Sequence, residues 1–164
     1  DLPLRENFVE RVFCYRRWRD LVAGGLTRGK LVAFHTAHKL LLMAHSPKHY
    51  TEMGRLVAAA KARTPRELES SYGELFMAAL KVKATAKKHA NVLQHILGYF
   101  KRDLDAKDKA ELLAVIGDYH KNLVPLVVPL TLLKHHLGRI PVPYIQDQVY
   151  LYPHPKELML RNHV

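Results

Sequence analysis

Cysteine is nearly missing from this chain. With Cys14 alone among 164 residues, no internal disulfide can form and no set of thiolates exists to hold zinc or an iron–sulfur cluster. Nothing in the chain demands an oxidising compartment, and a reducing cytoplasm is the expected setting. Also absent are an uninterrupted apolar run long enough to span a bilayer and the charged-then-apolar opening of a secretory signal, so no membrane partner is expected. There is no HExxH, no GxSxG, no phosphate-binding P-loop and no dinucleotide fingerprint. Enzymatic activity of its own is therefore not expected, nor a cofactor or bound metal.

Carboxylates are scarce in three long gaps, between Asp20 and Glu52, between Glu74 and Asp103, and between Asp118 and Asp147. Against 15 Asp and Glu stand 26 Lys and Arg, a formal charge of +11, and 11 His can add to it as pH falls towards 6. The middle gap alone holds Lys81, Lys83, Lys87, Lys88, Lys101 and Arg102. Positive charge is thus clustered, which favours a polyanionic partner over a merely basic, soluble protein.

Apolar spacing reads as helix throughout. Residues 5–23 carry Phe8, Val12, Tyr15 and Trp18 or Arg19 at spacings of three and four, with Gly24 and Gly25 as the stop and an extended Asp1-Leu2-Pro3-Leu4 before it. The other side of this helix interleaves Arg5, Arg16, Arg17 and Arg19 with Tyr15 and Trp18, a mixture suited to bases and phosphates, although core packing is the simpler role for Trp18. Thr27 caps a helix over 27–44 that is apolar almost all round and is expected at the centre. Ser46 caps the next, with Pro47 at its first position, and Thr64-Pro65-Arg66-Glu67 forms a capping box for a fourth. That helix either continues straight or bends near Thr85 into a fifth.

A sixth helix starts at Asp103 or Asp105 and ends near Asn122. A seventh is expected over 124–137, kinked or delayed by Pro129. From Ile140 to Tyr144 and again from Val149 to Pro155 the chain reads as an extended, Pro- and Tyr-rich tail that wraps the bundle. The expected fold is all-α, a single bundle of six or seven helices forming one domain over 1–164.

The helix around residues 87–102 carries two opposed messages. Leu93, Ile96, Leu97 and Phe100 make a core-facing stripe, while Lys87, Lys88, Asn91, Gln94, His95, Gly98 and Arg102 form a cationic face without a carboxylate. Gly98 lies within that face, where a neighbouring helix or a ligand backbone comes close. Phosphate contacts are expected from Lys39, Lys48, Lys81, Lys83, Lys87, Lys88, Lys101 and Arg102, with directional hydrogen bonds from His45, His49, Asn91, Gln94 and His95. Lys87 and Lys88 are expected to be exposed. The pairs His35/His38 and His45/His49 have the helical spacing of metal ligands, but residues 31–46 offer no carboxylate to complete a site.

Three stretches, KLLLMAHSPKHY (39–50), HANVLQHILGYF (89–100) and PVPYIQDQVY (141–150), resemble the YbgA-like family, a domain of unknown function, and the likeness runs nearly end to end. ENFVERVF (6–13) is similar to the junction at which that domain follows a TudS-like thiouracil desulfidase domain, as in RudS-type proteins. The resemblance implies a domain cut from a longer two-domain chain. It further implies an RNA-binding accessory part that presents tRNA, containing 4-thiouridine, to the iron–sulfur desulfidase in cis or in trans. The alternative is a protein-interaction module that docks on the desulfidase and has no RNA role.

Overall fold

A computed structural model describes residues 2–153 of the chain. Its first helix, α1 (Leu2–Ala23), starts earlier than expected: Leu2, Pro3 and Leu4 are helical rather than extended. Pro3 sits in the first turn, where a missing N–H leaves no hydrogen bond unmade. Gly25, at φ +88°, turns the chain out of this helix in a conformation that a side chain would strain.

Thr27 accepts a hydrogen bond from the Lys30 N–H and opens α2 (Arg28–Ala37). The expected continuous helix over 27–44 is split here, because His38 leaves helical geometry and α3 (Lys39–His45) begins after it. The cause lies far along the chain. The Gln148 side chain accepts the Leu40 N–H at 3.1 Å and donates to the Thr36 carbonyl at 2.7 Å. Those two groups would bond each other in an unbroken α-helix, so one side-chain amide stands in place of one rung of the ladder.

The caps fall where expected. Ser46 opens α4 (Pro47–Ala58), and Thr64 with Glu67 forms a complete capping box for α5 (Pro65–Lys81). The chain then bends, and Thr85 caps α6 (Ala86–Gly98). Asp105 opens α7 (Ala106–His120) by accepting the Asp108 N–H at 2.7 Å. The next helix, α8 (Val127–Arg139), has its start delayed so that Pro129 lies in the first turn.

The segment expected to be extended instead holds the one-turn helix α9 (Pro143–Gln146) and a 3-10 turn at Val149–Leu151. Its last two residues, His154 and Pro155, lie outside the described residues. Nine helices and no strand are thus present among the described residues, an all-α fold with more and shorter helices than the six or seven expected.

The centre is α3, whose Leu40, Leu41, Leu42 and Ala44 are buried and which packs against α4, α5 and α6. Beside it Trp18, Phe34, Tyr72 and Phe76 form an aromatic cluster, with Trp18 at 5.3 Å from Phe34 and 5.0 Å from Tyr72. This fixes how α1 is turned. Cys14 and Trp18 face inward against α5, whereas Phe8, Val12 and Tyr15, the other members of the spacing expected on this helix, point to solvent at 60%, 47% and 51% exposure, as does Leu4 at 68%. Trp18 is therefore a core residue and offers no surface for stacking bases. Among the described residues no helix is long and apolar enough to cross a membrane.

Candidate nucleic-acid interface

The face and stripe expected on α6 are present. Leu93, Ile96, Leu97 and Phe100 are buried, and Lys87, Asn91, Gln94, His95 and Gly98 are exposed. Gly98 is the last residue of the helix, and a Cβ built on it meets nothing within 4 Å. No neighbouring helix approaches there, which removes packing as its reason.

Lys88 departs from the expectation of exposure. Its ammonium donates to the His45 carbonyl at 2.7 Å and to the Lys83 carbonyl at 3.1 Å, so it clamps the end of α3 to the bend before α6. A cation at those terminal carbonyls offsets the negative end of a helix. The clamp gathers Lys83, Lys87, Lys88 and, one residue beyond the Pro47 start of α4, Lys48 at one end of α6. Lys81 is exposed at the end of α5, while Lys101 and Arg102 are exposed on the 3-10 turn after α6, where Asp103 dilutes their charge.

At the opposite end of α6 a group appears that spacing along the sequence does not show. Gln148 pins the C-terminal segment against the α2–α3 break, and this sets Tyr144 of α9 beside Tyr99, the residue that closes α6. The two rings stack with centroids 5.3 Å apart and planes 29° apart. The Lys39 ammonium lies 5.9 Å from the Tyr144 ring centre, and His95 meets Tyr99 edge-on at 5.9 Å. The result is a ladder, Lys39–Tyr144–Tyr99–His95, drawn from three helices. Tyr50 lies close enough that, after burial itself, the Tyr144 and Tyr99 hydroxyls are what raise its pKa, and its ring stacks flat on His35 at 4.8 Å. With Lys88 at the His45 end of α3 and Lys39 near Tyr99, α3 and α6 run antiparallel. The two basic ends are separated by the length of α6, 13 residues or about 20 Å.

The histidines divide sharply. His49 is half-buried and hydrogen-bonded to the Ser46 hydroxyl at 2.7 Å, and His95 is exposed. His45 is only 3% exposed, with Nε2 at 2.6 Å from the Glu10 carboxylate and Nδ1 at 2.7 Å from the Val82 carbonyl. It ties α1 to the α5–α6 bend and has no donor left for a surface ligand, which removes it from the expected set. His38 donates from Nδ1 to the Phe34 carbonyl and accepts from Arg17 on Nε2, and burial pushes its imidazole down to about 3. His35 bonds the Tyr72 hydroxyl at 3.0 Å, and burial lowers it to about 4. The pair serves packing and shares no open ligand position. Among the described residues no group of three His, Cys, Asp or Glu is placed to hold a metal ion.

Elsewhere, a groove between α1 and α5 is lined by Tyr15, Trp18, Gly73 and Met77. Arg19, Arg66, Glu69 and Glu74 mix both charges along it, so it does not extend the basic surface.

The family model described as "Protein of unknown function (DUF1722)" matches residues 39–155. The chain belongs to the DUF1722 family. The likeness to YbgA-like proteins is borne out in the same way: the "Uncharacterized protein YbgA" of Escherichia coli (strain K12) is 31% identical over 158 residues, which cover 96% of this chain and 94% of that protein. No solved structure matches it. The DUF1722 segment begins at the first residue of α3 and takes in Gln148, the ladder from Lys39 to Tyr144 and every basic residue assigned to the face.

Tyr50, Tyr99 and Tyr144 escaped the sequence reading as site residues. All three lie in the stretches that carry the family likeness; a lysine two positions away, Lys48 or Lys101, was the available signal for Tyr50 and Tyr99, and Tyr144 had none. Their meeting depends on Gln148, whose partner is 108 positions away.

Proposed function

We propose that this domain binds structured RNA, tRNA foremost, along the outward face of α6, and presents it to a TudS-like desulfidase domain that carries out the chemistry. One observation carries the RNA part. A helix face without a carboxylate is bracketed by lysines at its start and by a lysine–tyrosine ladder at its end. Phosphates supply most of the affinity in such complexes, and lysines spread over about 20 Å can meet several of them. The link to 4-thiouridine and to the desulfidase rests on the resemblance of residues 6–13 to a two-domain junction. Within this proposal the domain is an accessory without a cofactor or catalytic residues of its own, and it works in the cytoplasm.

Filter binding of the isolated domain to tRNA, duplex DNA and heparin over a salt series tests it. If about four to six phosphates are neutralised, log affinity for tRNA falls against log salt with a slope of roughly −3 to −5. Lys87→Glu with Lys101→Glu makes that slope shallower by about 2, with the melting temperature held, because both are exposed. Lys88 is left alone, since reversing it breaks the clamp on α3. Heparin held as tightly as tRNA, or an unchanged slope in the double variant, would sink the proposal.

A second reading, docking on the desulfidase with no RNA role, is favoured by the outward stripe of α1. Leu4, Phe8, Val12 and Tyr15 form a continuous apolar edge, and Phe8 and Val12 fall inside the junction-like stretch.

A further inference from the structure

We infer that the Lys39–Tyr144–Tyr99–His95 ladder is a stacking site for one unpaired nucleobase, so that the domain takes single-stranded or looped RNA in preference to continuous duplex. This deepens the RNA-binding proposal above and rests on it. Tyr99 is 42% exposed at the end of a helix, with one face covered by Tyr144. A tyrosine serving only to join α6 to α9 has no need of that exposure. Its neighbour Gly98 opens onto free space, so no side chain overhangs the ring from that position.

The chemistry around the ring fits a nucleotide rather than a bare aromatic ligand. Every base has a flat π-face that stacks on tyrosine. Lys39, within cation–π distance of Tyr144, adds positive charge to the ladder itself. His95 and Gln94, both exposed at that end of α6, can supply hydrogen bonds to base edges or to the 2′-hydroxyl. The bases of a duplex are already stacked on one another, and their faces are not available to such a site. Phosphates along the rest of α6 then fix the strand, while the ladder selects for an unpaired position.

The test uses a single-stranded RNA with a central 2-aminopurine, whose fluorescence is quenched on stacking, and a duplex RNA matched in number of phosphates. The domain should quench the single strand and bind it at least tenfold more tightly than the duplex at equal salt. Tyr99→Leu should abolish the quenching and lower single-strand affinity by about tenfold or more, leaving duplex affinity and the salt slope unchanged. Tyr99→Trp should restore both. Quenching by the unsubstituted domain is read without any variant, so it stands even where a substitution disturbs folding. If single strand and duplex bind alike, with the expected salt slope and no quenching, the stacking site is overturned and RNA binding stands. If neither RNA binds in a salt-dependent way, both fall together.

Discussion

Two buried imidazoles show what a single position can impose on the whole protein. His35 and His38 stay neutral in the folded state down to about 4 and about 3, whereas an unfolded chain protonates its histidines near 6.5. Between those values the unfolded state binds more protons. Stability is therefore fully present above about pH 6.5 and is lost as pH falls towards about 4, with each histidine contributing a slope of up to about 1.4 kcal/mol per pH unit. Urea denaturation in steps from neutral to mildly acidic pH reads this directly, and a flat profile would contradict the burial of both rings. Two glycines give opposite expectations on the same principle. A Cβ at Gly73 would stand 2.8 Å from the Trp18 indole nitrogen, and that ring is wedged among Phe34, Tyr72 and Phe76 and cannot move aside. Gly73→Ala should lower the melting temperature in spite of the better helix former. Gly98→Ala, which points into open space, should raise stability by up to about 1 kcal/mol. Differential scanning calorimetry of the two variants separates them by sign.

Among the elements, the α2–α3 joint depends on one amide. Gln148→Ala removes partners from the Leu40 N–H and the Thr36 carbonyl, a loss of about 1–3 kcal/mol for the buried Leu40 N–H and less for the carbonyl of the exposed Thr36. Faster hydrogen exchange at Leu40 than at the neighbouring Leu42, together with a lower melting temperature, is the expected result. A variant as stable as the parent would show that α2 and α3 can rejoin into one helix. This joint also marks where the sequence stopped being legible. Caps at Thr27, Ser46 and Thr64 were readable because the residue that makes each bond lies three positions from its partner, whereas the bend near Thr85 and the choice between Asp103 and Asp105 stayed open until the structure placed caps at Thr85 and Asp105. The break at His38 was not, since nothing between Ala37 and Lys39 opposes a helix and the group that opens it lies 108 positions on. The same distinction holds for the site. The cationic face of α6 could be read by counting along one helix, whereas Tyr99 and Tyr144 share a surface only through that distant tie. The turn of α1 was misread for a related reason: its apolar periodicity is real, but Trp18 against Gly73 decides which side is buried.

At the scale of the whole molecule, two surfaces of different character coexist, a basic one over α6 and an apolar edge along α1. Phe8→Ser with Val12→Ser should leave the isolated domain within about 0.5 kcal/mol of its original stability, because both side chains are largely exposed. In a pull-down against a separately expressed TudS-like domain the same pair should abolish association if α1 is the docking edge. Unimpaired association would clear α1 of that role. The tie at the α2–α3 joint has one more consequence, for the order of events as the chain is made. Arg17 of α1 donates to His38 at the break and to the carbonyl of Pro153, so the first helix, the central joint and the last described residue share one side chain. At a synthesis rate of about 5–20 residues per second, a delay of roughly 5–20 s separates the emergence of Leu40 from that of Gln148. Throughout that interval α2 and α3 exist without the amide that parts them, and the nascent chain is free to hold them as the single straight helix that its local sequence prefers. Acquiring the native bend is then a late event, tied to the arrival of Gln148.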